Sequence, residues 1–365
     1  METIVVTGGC GFIGQHIVRQ LMEQRLFPLK EIRIFDIQEF NWFHGMQPGT
    51  NNSQATIKYV KGDIDDIDQL QSAFQDATAV IHSAADISVT TSPDIEKLQR
   101  VNVKGTENVI QACINSSIER LVFTSSVDAF LPPEPFSTPE VTEEQVPKPH
   151  TFLMGPYAES KFNADKIVLE ANNKFLKNGK KLKTCALRIP FIYGEGDVQA
   201  KNYIGDAAKQ KKLYLLGAEE NVVQKIYAGN AAWAHVLAVY KLSRPDSAFS
   251  PAGKGIFIGD HTPFMSFSSH FKEFARRSGI AIGPTIPMKV LYLFGGFIDC
   301  AAWVLSPIYS LRAEGKWSAI AFMDNNYTVS WQLSRRCLGY SPIFSYKDSI
   351  ERSWIYLKKT VIDKE

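Results

Sequence analysis

Over the first 195 residues, short apolar runs alternate with stretches of helical pattern. The runs at residues 3–7, 31–35, 57–60, 79–82, 121–125 and 184–188 are rich in β-branched side chains and predict strands. Helical patterns follow Gly11, start again at Asp65, and cover residues 93–114 and 157–174. This alternation predicts an α/β fold with a doubly wound parallel sheet and helices on both faces. A Pro- and acid-rich stretch at 131–149 breaks the rhythm and is expected to be a surface excursion. Beyond Gly194 the alternation stops. Helical patterns at 230–242 and 266–278, with a short strand at 255–259 between them, predict a smaller lobe. Residues 290–311 are almost wholly apolar.

Composition narrows the options. Lys and Arg total 40 against 38 Asp and Glu, and no basic block stands out, so no nucleic-acid partner is expected. The five cysteines, Cys10, Cys113, Cys185, Cys300 and Cys337, are scattered and form no CxxC pair. Neither a metal site nor a disulfide framework is expected, and a reducing compartment suits them. The chain opens on the strand-like Ile4-Val5-Val6 with no charged region ahead of it, so a cleaved secretory signal is not expected.

Thr7-Gly8-Gly9-Cys10-Gly11-Phe12-Ile13-Gly14 follows the first strand and leads into a helix. Glycine permits the tight turn and lets backbone approach a pyrophosphate, and the last one lets the helix pack close to the sheet. N–H groups at the helix start then face the phosphates. Asp36 ends the second strand, where a carboxylate accepts both adenosine ribose hydroxyls and repels a 2′-phosphate. Ile37 and Gln38 supply no cation for such a phosphate, so NAD is expected rather than NADP. Asp63, after the third strand, is the candidate for the adenine edge. The lobes then divide as an NAD-binding domain at 1–195, a substrate lobe at 196–285, an apolar segment at 286–312 and the rest of the lobe at 313–365.

Tyr157 and Lys161 stand four apart on a helix and hence on one face. Oxidising an alcohol needs a base for the hydroxyl proton while hydride leaves to nicotinamide. A tyrosine with a pKa of about 10 is too weak near neutrality. A lysine one turn away favours the phenolate and reaches the nicotinamide ribose. A hydroxyl from Thr124-Ser125-Ser126, at a strand end, would orient the substrate oxygen.

This order of motifs resembles the extended short-chain dehydrogenase/reductases, a family with a Rossmann-type sheet, over essentially the whole chain. Val101-Asn102-Val103-Lys104-Gly105-Thr106, Thr184-Cys185-Ala186-Leu187-Arg188, Ile192-Tyr193-Gly194-Glu195-Gly196 and Gly229-Asn230-Ala231-Ala232-Trp233-Ala234-His235 narrow it. Together they resemble the 3β-hydroxysteroid dehydrogenase/Δ5–Δ4 isomerase branch. The resemblance implies oxidation of the 3β-hydroxyl of a steroid or sterol. It makes Tyr157 the general base, has Lys161 lower its pKa and hold NAD, and selects Ser126 over Ser125. Asn102 would support the lysine through a structural water. Trp233 and His235 are expected in the core.

Two features depart from the branch. Bifunctional members are expected to shift the double bond with an aromatic hydroxyl and an aspartate near Asp260, but 255–259 read Gly-Ile-Phe-Ile-Gly and hold no tyrosine. Asp86 stands where steroid-handling relatives carry a small or apolar residue, and a carboxylate beside a greasy pocket is costly unless paired or useful. Both leave room for a decarboxylating sterol 4α-carboxylate 3-dehydrogenase. A non-catalytic NAD-binding redox sensor would require the Tyr–Lys pair to be a relic.

Residues 290–311, flanked by Lys289 and Arg312, are long enough to span a bilayer, but Asp299, Gly295-Gly296 and Pro307 oppose a simple spanning helix. Association with one face of the endoplasmic reticulum membrane suits a lipophilic substrate. The rival for the same stretch is a buried lobe or a homodimer face. A nucleotide-sugar epimerase would have no use for it.

Overall fold

The computed structural model describes residues 1–47, 55–133, 140–146, 151–217, 219–244, 249–306, 308 and 317–364. The first half runs β1 (Glu2–Thr7), α1 (Phe12–Glu23), β2 (Leu29–Asp36), β3 (Thr56–Lys61), α2 (Ile67–Phe74) and β4 (Ala79–His82). A continuous helical run follows, made of α3 (Ile95–Leu98), a π-helical turn (Gln99–Lys104) and α4 (Gly105–Asn115). Then come β5 (Arg120–Ser126), α5 (Pro156–Glu170) and β6 (Lys183–Ile189). All six strands contain the runs expected from the sequence.

These strands pair in parallel, in the order β6-β5-β4-β1-β2-β3. The order reverses between β1 and β4, which opens a crevice at the carboxyl ends of those two strands. Side chains alternate across the sheet. Ile4, Val6, Ile34, Ile81 and Val122 face one buried layer, and Val5, Phe35, Val80, Leu121 and Phe123 face the other.

The second half runs β7 (Phe191–Tyr193), α6 (Val198–Lys209), β8 (Lys212–Leu216), β9 (Lys225–Tyr227), α7 (Ala228–Leu242), β10 (Lys254–Phe257) and α8 (Lys272–Arg277). After these come β11 (Ala281–Ile286), α9 (Met288–Leu305), α10 (Trp317–Asp324), α11 (Gln332–Leu338) and α12 (Tyr346–Thr360). The chain does not respect a boundary at 195. β10, expected inside the lobe, pairs in parallel with β6 as the seventh strand of the central sheet. α7 packs on α1 beneath the same sheet. The lobe proper is built from the β7–β9 and β8–β11 pairs with α6, α8 and α12 around Leu213, Phe271, Phe274 and Leu357.

Of the expected excursion at 131–149, residues 134–139 and 147–149 lie outside the described ones. The described parts correct the expectation. Leu131 and Val141 are buried, and Val141 bridges to Val329. Leu131 belongs to an apolar cluster with Val127, Met154 and Ala158.

α9 carries its apolar stripe outward. Leu293, Phe297 and Trp303 are 77%, 70% and 77% exposed, whereas the inner face is thin and uses Gly295 and Ala302. By length and composition this helix could cross a membrane, with a mean hydropathy of 1.5 and 11% of it buried. Asp299 accepts a hydrogen bond from the Trp317 N–H at the start of α10 (3.0 Å), which gives the acid of this stretch a structural use. Pro307 and Arg312 lie outside the described residues.

Candidate active site

The glycine turn occupies the crevice between β1 and β4. Gly8 has φ of +70°, and a Cβ there would lie 2.5 Å from the Ala84 nitrogen. A Cβ on Gly14 would lie 2.1 Å from the Gly8 oxygen. Only glycine fits either place. Gly9 backs onto Ile34, and Gly11 donates its N–H to the Gly8 carbonyl (3.1 Å). No side chain caps α1 at Gly11, so the N–H groups of its first turn, at Phe12, Ile13 and Gly14, are left for an anion.

Asp36 accepts hydrogen bonds from the backbone N–H of Cys10 and of Gln38, both at 2.9 Å, one on each carboxylate oxygen. Each oxygen keeps a lone-pair direction free for a ribose hydroxyl. Burial, reinforced by the Asp36 charge, pushes the Cys10 thiol up to about 12, so it stays neutral beside the carboxylate. Asp63 lies two residues beyond β3, whose last residue, Lys61, pairs with Asp36, and its carboxylate accepts from the Asp65 N–H (3.0 Å). The cradle fits a dinucleotide with an unphosphorylated ribose.

The catalytic candidates converge from two elements. α5 begins at Pro156 after Gly155 (φ +65°) and buries Tyr157 and Lys161 on one face. The Ser126 hydroxyl faces the phenol and lowers its pKa by hydrogen bonding, but burial, helped by the Asp128 charge, pushes that pKa well up. Lys161 donates to the Thr124 carbonyl (2.6 Å) and lies over the Phe123 ring. Burial, opposed by Asp165, pushes Lys161 down to about 7. Desolvation is the largest influence on both groups.

Ser125 and Ser126 are separated by their partners. Ser125 donates to Asp165 (2.7 Å), which Arg188 also grips through two nitrogens at 2.9 and 3.1 Å. Ser126 accepts the backbone N–H of Asp128 (3.1 Å), and its hydroxyl is turned to the Tyr157 phenol.

Asn102 sits on the π-helical turn, a form often found at functional sites. Its amide exchanges two hydrogen bonds with the backbone of Asp86 (2.7 and 2.9 Å) and donates to Ser160 (2.8 Å). Asn102 thereby ties the loop at Asp86 to the helix that carries Tyr157.

The 3-beta hydroxysteroid dehydrogenase/isomerase family matches residues 5–290. The chain belongs to that family. The fold recurs in solved structures of low identity. The dTDP-glucose 4,6-dehydratase DesIV of Streptomyces venezuelae, with NAD and TYD bound, has a TM-score of 0.70 at 20% identity, covering 98% of this chain and 97% of that one. The UDP-glucose 4-epimerase of Thermus thermophilus, complexed with NAD, scores 0.66 at 20% identity, covering 98% and 100%. MoeE5 in complex with UDP-glucuronic acid and NAD scores 0.69 at 18% identity, covering 98% and 99%.

In this member of the 3-beta hydroxysteroid dehydrogenase/isomerase family, Asp260 is a clamp. Its carboxylate accepts from the N–H of Tyr227 (3.0 Å), the Asn230 amide (2.9 Å) and the N–H of Thr262 (2.9 Å). It joins the end of β9 to the turn after β10. His235 is fully buried and bonds Thr124 (2.8 Å), while Trp233 packs against the same core. Asp86 pairs with Lys97 (2.9 Å). The Asp165–Arg188 pair and Asp128 were missed by sequence reasoning. Asp165 could have been found, because it lies one helical turn beyond Lys161; Asp128 has no periodic signal.

Proposed function

We propose that this protein oxidises the 3β-hydroxyl of a membrane-borne steroid or sterol to a 3-ketone, with NAD as oxidant. One observation carries the choice of substrate. The apolar cluster beside the catalytic candidates, with Val127, Met154 and Ala158, continues through Tyr292 of α9 and Phe322 of α10. It thus joins the reaction site to a helix whose outer face is apolar. A charged, soluble sugar nucleotide gains nothing from such a surface.

Gly8, Gly11, Gly14 and the first turn of α1 would hold the pyrophosphate, Asp36 the adenosine ribose and Lys161 the nicotinamide ribose. Bound there, NAD supplies the hydride acceptor. Ser126 holds the substrate oxygen, and Tyr157 takes the hydroxyl proton. α9, with Lys289 at its start, lies on the endoplasmic reticulum membrane with its apolar stripe against the lipid. Because Asp260 is held by three N–H donors, isomerisation is not part of the proposal. A decarboxylating 4α-carboxysterol dehydrogenase is the second reading, favoured by that occupied aspartate.

The test uses purified protein, NAD and a panel of 3β-hydroxysteroids, sterols and 4α-carboxysterols, with products read by mass spectrometry. A 3-ketone formed with NADH supports the proposal, and carbon dioxide release selects the second reading. Turnover of UDP- or dTDP-sugars with none of the sterols would overturn both.

NAD is expected to be preferred over NADP, because Asp36 would face the 2′-phosphate. Asp36→Ala combined with Ile37→Arg should reverse or erode that preference by roughly tenfold or more, as losing a charge repulsion of about 1.4 kcal/mol implies. Competitive binding titrations of the two nucleotides decide it. Better binding of NADP by the wild type would refute the role of Asp36.

A further inference from the structure

Asp165 and Arg188 form a buried ion pair beside the reacting groups, and the reaction described above uses neither. Asp165 follows Lys161 by one helical turn and Tyr157 by two, so all three lie along one face of α5. Lys161 donates to the Thr124 carbonyl (2.6 Å), and Asp165 accepts the Ser125 hydroxyl (2.7 Å). Two successive turns of the helix are thereby fastened to two successive residues of β5. The next residue of that strand is Ser126.

Arg188 fixes the other side of the carboxylate. β6 pairs with β5 so that Arg188 stands beside Ser125, and with β10 so that Phe257 stands beside Arg188. The guanidinium donates to both oxygens of Asp165 (2.9 and 3.1 Å). Its carbon lies 3.9 Å from the centre of the Phe130 ring, on the 3-10 turn (Val127–Phe130) that starts directly after Ser126. Its room comes from Gly255 of β10, where a Cβ would collide with the guanidinium. Ser126 is therefore bracketed. Asp165 holds the residue before it, and Arg188 packs against the turn after it.

We propose that the Asp165–Arg188 pair is the positioning device of the site, setting Ser126 of β5 against Tyr157 and Lys161 of α5. The proposal rests on the oxidoreductase reading above and concerns how the two halves of that site are held together.

Stability alone does not account for the pair. Two charges taken out of water recover little from each other, and apolar side chains of similar volume often serve a core as well or better. What apolar side chains cannot supply is direction. A guanidinium that grips both oxygens of a carboxylate fixes distance and angle together, and the carboxylate then presents a fixed acceptor to Ser125. Oxidation needs that precision, because hydride leaves the carbon and the proton leaves its oxygen while both face fixed partners. An error of about 1 Å in such a site can cost roughly 10²-fold. The Asp165 charge acts to the same end, since it opposes the loss of the Lys161 proton that burial favours.

Two variants of the full chain test the pair, with NAD-binding sites counted by titration and alcohol oxidation expressed per site. Asp165→Leu combined with Arg188→Met removes both charges and keeps the space filled. Ser125→Ala removes only the bond between strand and helix. The double variant should lose roughly 10²-fold in kcat and Ser125→Ala about tenfold, while KM for NAD stays near that of wild type. Substrates carrying hydrogen or deuterium at the carbinol carbon supply the second reading. Their rate ratio should be no smaller than in wild type, as it is when the chemical step limits turnover. A mere loss of folded molecules would leave the kcat per NAD-binding site unchanged. If the double variant does not fold, Ser125→Ala decides alone. A per-site kcat within about twofold of wild type in either folded variant, or a smaller deuterium ratio, overturns the positioning role and leaves the oxidoreductase reading standing. If wild type oxidises no alcohol, that reading falls first and takes the positioning role with it.

Discussion

Tyr157→Phe is expected to lower alcohol oxidation by roughly 10²–10⁴ in kcat/KM, the usual span of general acid–base assistance, while leaving NAD binding intact. The substitution removes one oxygen and keeps the ring. That ring is 7% exposed and lies on the buried face of α5 beside Ala158, which is fully buried, so the packing survives. The lost oxygen contacts Ser126, whose remaining bond is to the Asp128 N–H, and the stability cost should be about 1 kcal/mol or less. NADH formation under saturating NAD and a nucleotide binding titration separate the two effects. Turnover within a few-fold of wild type would remove Tyr157 from the reaction altogether.

Polar replacement of the outer face of α9, as Leu293→Ser, Phe294→Lys, Phe297→Ser and Trp303→Lys together, should move the protein from the membrane fraction to the soluble one. All four side chains are exposed, so the protein loses little of its own packing with them. Burying a large apolar side chain is worth about 1.5–3 kcal/mol, so four of them supply roughly 6–12 kcal/mol of lipid attachment. That sum exceeds any plausible contribution from Lys289 alone, since surface charge adds about 1 kcal/mol per cation. Flotation with liposomes and fractionation of cells read the outcome. Wild-type protein that stays soluble without detergent, or a quadruple variant that still floats, would sink the docking of α9 on lipid. A protein that moves to the soluble fraction yet still oxidises detergent-dispersed sterol would separate docking from chemistry.

The parts of the site set by local pattern were legible in the sequence. The glycine spacing, Asp36 at a strand end and the four-residue spacing of Tyr157 and Lys161 are each dictated by one element and its turn. Parts set by pairing between distant segments were not. The run at 255–259 was recognisable as a strand, but nothing in its own residues says that its partner is β6. Asp260 invited a chemical role because its three donors come from Tyr227, Asn230 and Thr262, two of them some thirty residues away in sequence. The four-residue spacing of Tyr157 and Lys161 does not show their burial, which moves both groups away from their ordinary values. Leu131 and Val141 were lost among prolines and acids, although two apolar side chains suffice to pin such a loop to the core.

The position of β10 bears on how the molecule is made. During synthesis, β6 leaves the ribosome some sixty residues before the strand that will flank it, and α1 waits still longer than β6 does for α7. Throughout that interval the nascent chain exposes an unpaired, apolar strand edge, the kind that recruits other chains. A fragment ending at residue 195 would be frozen in that condition, lacking both the edge strand and the helix that covers Ile17 and Leu21. The central sheet is therefore a unit of folding only when the chain through residue 257 is present, and truncation between these points should yield aggregates rather than a smaller nucleotide-binding module.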